Sequence, residues 1–187
     1  MARIQGPEWL KKLFKPSSSY SVLALTSIGL ILGILAVIIF ETAMHATSTE
    51  AFCISCHEME INAYAQVKKT MHYENASGVS ATCSDCHIPK EFVPKMVRKV
   101  EAAREVWGSI TGVINTPEKY AAHAPAMKQR EIARLQANDS QECRNCHDPK
   151  RMMTALQSAK AQRYHQPARS GDKTCIDCHA GIAHPEN

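Results

Sequence analysis

Cys53-Ile-Ser-Cys56-His57, Cys83-Ser-Asp-Cys86-His87, Cys143-Arg-Asn-Cys146-His147 and Cys175-Ile-Asp-Cys178-His179 are four copies of one pattern, and together they use all eight cysteines of the chain. In C-x-x-C-H, two thiols three positions apart can form thioethers to the two vinyl groups on one haem edge. The next residue is then placed to send an imidazole to the iron, which makes the pattern the attachment signal for haem c. A disulfide framework does not require a histidine after every second cysteine. Zinc would need the pairs to converge two by two and would leave four adjacent histidines unexplained. A thioredoxin-like redox motif wants a βαβ context, which is absent. The pattern therefore predicts four covalently bound haem c groups.

Outward from the motifs, the 187 residues divide sharply in composition. The hydrophobic fraction of 44% and the mean hydropathy of −0.28 average two unlike parts, because the strongly apolar residues concentrate between Tyr20 and Phe40. From Pro16 to Phe40 there are 25 residues without a charge, long enough for a helix to cross a hydrocarbon core of roughly 30 Å. Arg3, Lys11, Lys12 and Lys15 precede it against Glu8, whereas Glu41 to Glu50 holds no Lys or Arg. The positive-inside rule then gives a basic cytoplasmic N-terminus (1–19), a single-pass anchor (20–40) and an exported domain (41–187) in the periplasm of a bacterial inner membrane. A cleaved signal peptide would have a shorter apolar core and an A-x-A-like site, for which Phe40 to Thr47 offers no good match. Gly29 and Gly33 form a G-x-x-x-G that would suit packing against another membrane helix, and hence an oligomer. The net charge of +4, with no basic run interleaved with aromatics, argues against nucleic acid.

The exported part is poor in Ile, Leu, Val and Phe, too poor for a core of ordinary aliphatic packing. Haem macrocycles would supply that interior, wrapped by helices and loops, and haems packed so densely suit electron conduction along a chain. The pattern predicts a mostly α fold. One helix follows the first motif (Glu58 to Met71). A second spans Glu91 to Ile110, where Phe92, Met96, Val100, Ala103 and Trp107 recur at the 3.6 period. Thr116-Pro117 reads as an N-cap and first helical position, for a helix to about Ala122. Another would run from Pro125 to Ala137 and another from Arg151 to Tyr164. The motif copies suggest two dihaem halves with little regular β structure.

Five histidines lie outside the motifs: His45, His72, His123, His165 and His184. Electron-transfer haems usually take two strong axial ligands, and an open position marks binding or catalysis. At the first motif, Met59 offers a thioether as an alternative to His57. His45 and His123 read as surface or propionate-contacting residues.

The single anchor together with Glu50 to Met59 (EAFCISCHEM), Cys83 to Met96 (CSDCHIPKEFVPKM), Asn138 to His147 (NDSQECRNCH) and Thr174 to Pro185 (TCIDCHAGIAHP) resembles the NapC/NirT family of membrane-anchored tetrahaem cytochromes c, most of all its NapC branch. The resemblance implies quinol oxidation and delivery of electrons to a periplasmic reductase, first of all nitrate reductase. It implies Met59 on haem 1, His87 with His165 on haem 2, His147 with His184 on haem 3, and His179 with His72 on haem 4. It also implies a quinol site in which Lys99 holds a quinol oxygen and Glu105 approaches the open side of haem 1 and accepts a proton. By the residues alone, Arg98, Lys99, Glu101, Arg104 and Glu105 equally read as a solvated helix face with i,i+3 and i,i+4 pairs. Two other functions fit the same motifs. A passive relay would dock to a subunit holding the quinol site elsewhere. A terminal reductase would need an accessible open haem, and no C-x-x-C-K variant is present to mark one.

Overall fold

In the computed structural model, residues 19–185 are described; the basic residues Arg3, Lys11, Lys12 and Lys15 and the ends of the chain lie outside them. The chain divides into two units, Met1–His45 and Ala46–Asn187. In the first, the apolar run folds as helix α1 (Val22–Ala46), which continues six residues past Phe40 and buries none of its residues within the protein. Its polar side chain Thr26 bonds back to the carbonyls of Val22 and Leu23 at 2.9 and 3.0 Å, so the hydroxyl needs no water. With its length and composition, α1 meets the requirement for crossing a membrane.

The second unit contains α2 (Glu50–Ile54), a π-helical turn (Met59–Tyr64) running into α3 (Ala65–Val67), α4 (Cys83–His87), α5 (Phe92–Ile110), α6 (Pro117–Ala137), α7 (Gln141–Arg144), a 3₁₀ turn (Thr154–Leu156), α8 (Ala159–Ser170) and α9 (Ile176–His179). No strand occurs among the described residues. Each motif lies in or beside a short helix, and three of the four have a local starter. In the second and fourth copies the starter is the aspartate inside the motif: the amides of Thr82 and Thr174 donate to Asp85 Oδ2 and Asp177 Oδ2 at 2.8 and 2.7 Å. In the first, Thr49 Oγ1 accepts from the Phe52 amide at 3.2 Å.

Three elements differ from the periodicity reading. Pro125 does not split α6, although it removes one backbone bond and crowds the preceding turn. Alanines at 121, 122, 124 and 126 flank it with the strongest helix former, and the C-terminal half is docked by Glu131 and Arg134. The run expected from Arg151 breaks at Gln157, because Ser158 caps a new helix through the Ala161 amide at 3.2 Å. That helix, α8, extends beyond Tyr164 to Ser170 and ends on Gly171 at φ 85°, a conformation that glycine adopts without a Cβ clash. After the first motif the chain winds as a π-turn from Met59, not a regular helix to Met71, and π-turns recur at functional sites.

Among the described residues, buried apolar side chains are few: Ile114, Leu135 and Ile176. Polar ties do more of the positioning. Ser140, fully buried and left-handed at φ 50°, accepts from the Ile176 amide at 3.1 Å and so joins the approach to the third motif to the fourth. Gln136 on α6 reaches Asp177 Oδ1 at 2.7 Å. Helix α2 packs on α4 and α4 on α7, so the motif pairs belong to one body.

Candidate haem and quinol site

Successive motifs are neighbours in space, in chain order. Cys53 and Cys83, the leading thiols of the first two, hydrogen-bond to each other; Cys86 feels the charge of Cys143, and Cys143 that of Cys175. All eight thiols are free of disulfides. Burial pushes the Cys86 thiol up to about 11, and Cys143 is also raised, first by burial.

Six histidine rings meet in three pairs. His72 faces His147 with ring centres 6.2 Å apart, His87 faces His184 at 6.1 Å, and His165 faces His179 at 6.2 Å. One metal between two imidazoles, with bonds of about 2 Å and about 1.1 Å more to each ring centre, requires about 6 Å. The chain thus fits iron held between two rings at three motifs. Around the second, a cavity is lined by Cys83, Cys86, His87 and His184 together, with Met59 and Cys53 at the same surface.

These pairs differ from those the resemblance implies. His165 stands opposite His179, not His87; His184 stands opposite His87, not His147; and His72 stands opposite His147, not His179. His123 turns its Nδ1 to the Lys119 carbonyl of its own helix at 2.8 Å, and His45 is an exposed residue in the last turn of α1. Met59 and His57 are both exposed, and Met59 borders the cavity beside Cys53.

Lys99 and Glu105 share α5 but find different partners. The Lys99 amine donates to the Thr47 carbonyl at 2.5 Å and to Thr47 Oγ1 at 2.8 Å; burial pushes its pKa down, and its charge acts on Cys53. Thr47 is the residue next in the chain after α1 ends. Glu105 Oε1 pairs with Arg130 Nη2 of α6 at 3.5 Å, while its Oε2 is buried with no hydrogen-bond partner. Arg98 likewise crosses to Glu131 of α6, at 3.6 Å. These charges make tertiary ties, which the reading as a solvated helix face does not anticipate.

Sequence reasoning missed two groups. Glu58, between His57 and Met59, is 7% exposed and accepts from Ser109 Oγ at 2.8 Å, fastening the first motif to the end of α5. Its signal was a carboxylate directly against a motif in a short, polar stretch. The second group is centred on Arg134, which gives Glu131 two bonds (Nε to Oε2, 3.1 Å; Nη2 to Oε1, 2.7 Å) and Glu142 one (Nη1 to Oε1, 2.5 Å). Glu142 immediately precedes Cys143, and Glu131 Oε1 meets His87 Nδ1 at 2.8 Å. Burial pushes the Glu131 carboxyl up, but the bonds from His87 and Arg134 outweigh it and hold the group well below the usual carboxylate range. The i,i+3 spacing of Glu131 and Arg134 was visible; their reach across the fold was not.

A helix fit to span a membrane, followed by a helical unit with four haem-attachment motifs in contact, defines a membrane-anchored tetrahaem c-type cytochrome. The chain belongs to the NapC/NirT cytochrome c family: the model of that family's N-terminal region matches residues 15–187. It is 49% identical over 175 residues to the denitrification system component NirT of Stutzerimonas stutzeri, covering 94% of this chain and 87% of that one. It is 48% identical over 182 residues to the cytochrome c-type protein NapC of Escherichia coli (strain K12), covering 95% and 90%. With the cytochrome c-type protein TorC of the same strain it shares 42% over 173 residues, 92% of this chain but 44% of the longer relative. No solved structure matches. The protein is accordingly an electron-transfer protein of respiratory reductase systems.

Proposed function

We propose that this cytochrome oxidises quinol at the outer surface of the membrane and passes the electrons to a periplasmic reductase. The observation that carries the reading is the position of Lys99, whose amine bonds the first residue after the apolar helix and whose charge reaches the first motif's Cys53. Lys99 offers a quinol oxygen a donor close to the first motif.

Bound haem supplies one-electron chemistry, each iron accepting and giving up a single electron. The chain's residues supply the rest. Quinol yields quinone, two protons and two electrons. Lys99 holds an oxygen, and Glu105, tied to Arg130 through Oε1, has Oε2 free to take a proton toward the outside. Met59, at the cavity edge beside Cys53, would hold the first iron in place of His57. The three histidine pairs would hold the remaining irons: His87 with His184, His147 with His72, His179 with His165. The motif contacts run from first to fourth, which supports a relay in that order. By its resemblance to the NapC branch, periplasmic nitrate reductase is the first acceptor to try.

Lys99→Ala in the full chain is expected to slow haem reduction by a quinol analogue about tenfold to a hundredfold, the worth of a hydrogen bond from a charged group, with four haems still attached. Stopped-flow absorbance reads the rate. An unchanged rate would remove Lys99 from the site.

A further inference from the structure

Six paired rings invite the question of what holds the other nitrogen of each. The answers differ. His87 Nδ1 meets a carboxylate, Glu131 Oε1, at 2.8 Å. His165 Nδ1 meets a neutral amide oxygen, Gln157 Oε1, at 3.0 Å. His72 Nδ1 and His184 Nδ1 are both buried without a hydrogen-bond partner. Among the described residues, no carboxylate contacts the rings of His147 or His179. A carboxylate that accepts the outer N–H of a ligating imidazole fixes its tautomer and makes the ring a stronger donor to the metal. A stronger donor favours the oxidised iron.

We infer that Glu131 is a positioning residue that lowers the potential of the haem on the second motif through its bond to His87, making it the most easily oxidised of the three haems held by histidine pairs. The inference rests on the reading above that His87 ligates that iron. Glu131 is well placed for the task, with its side chain 20% exposed and gripped by Arg134 at both oxygens. Arg134, bonded to the carboxylate at 2.7 and 3.1 Å, and Arg98 at 3.6 Å balance part of its charge, but the hydrogen bond to His87 acts on the ring itself. Arg134 holds the two carboxylate oxygens in place, so that Oε1 faces His87 Nδ1. In the relay, an easily oxidised second haem hands its electron onward and is rarely found reduced.

The test is a spectropotentiometric titration of the full-length haem-loaded protein in detergent, with electron paramagnetic resonance to follow each haem. Glu131→Gln keeps an acceptor and removes the charge. At a fixed ambient potential the reduced-to-oxidised ratio of one haem is expected to rise about tenfold, which is about 59 mV for one electron, with the other three unchanged. Glu131→Asp keeps the charge but withdraws it by one methylene, so the same haem shifts in the same direction by less. A purely structural residue would not move a single midpoint. Four unmoved midpoints in both variants, with four haems attached, overturn the role of Glu131 and leave the haem assignment standing. A second-motif haem that is not low-spin in the unaltered protein overturns the ligation itself, and the role with it.

Discussion

Replacing His184 with alanine is expected to leave four haems attached and to turn one of them, that of Cys83 and Cys86, from low-spin to high-spin. The argument is geometric: His184 stands 6.1 Å from His87, ring centre to ring centre, and both line the cavity that contains the second motif's cysteines. Alanine takes away one of two strong ligands, and water is a weak-field replacement that leaves the iron high-spin. Electron paramagnetic resonance of the oxidised protein should lose one low-spin signal and gain a high-spin one. The identity of the altered haem is checked with Glu131→Gln: the haem whose potential moves in that variant should be the one that becomes high-spin without His184. Were His184 opposite His147, as the family resemblance implies, the two variants would act on different haems.

Arg134→Met should have the largest effect on stability. Arg134, with its side chain 16% exposed, is the nearer of two cations to Glu131, beside Arg98, and pairs with Glu142, whose side chain is 1% exposed. Asn138 supports Glu142 at 2.8 Å but brings no charge. Removing one partner of a buried ion pair costs about 3–5 kcal/mol, because the remaining charge is left without compensation. For a protein of this size that is a fall of about 10 °C in Tm. Adding Glu142→Gln to Arg134→Met should recover part of the loss, since a buried amide costs less than a buried charge. Thermal unfolding followed by Soret circular dichroism measures both variants. The cluster also binds the Cys86 carbonyl through Arg134 Nη2 at 3.4 Å, so the contact between the second and third motifs should loosen with it.

The features that depend on short spans of chain were legible in the sequence. The four motifs, the apolar run and the 3.6 period of Phe92, Met96, Val100, Ala103 and Trp107 each state their meaning within about 20 residues, and α5 begins one residue from the expected start. Thr116 caps α6 as its position before Pro117 suggests, accepting from the Lys119 amide. The histidine partners were not legible. His87 and His184 are separated by almost 100 residues, and nothing local selects one distant ring over another. Nearness in sequence carried half of the answer: five residues of chain keep His184 from facing His179, but they do not choose among the other irons. The uninterrupted α6 was hidden for a related reason. A proline's local cost is visible, while the docking of Glu131 and Arg134 that offsets it comes from residues far along the chain.

The central claim is that this chain takes electrons from quinol itself. The most direct measurement uses the unaltered full-length protein, haem-loaded and alone in lipid nanodiscs, mixed with a reduced quinol analogue while the haem c absorption is recorded. The account predicts that haem reduction proceeds without any other protein. Reduction that occurs only after another membrane subunit is added would contradict it and leave this cytochrome as a relay.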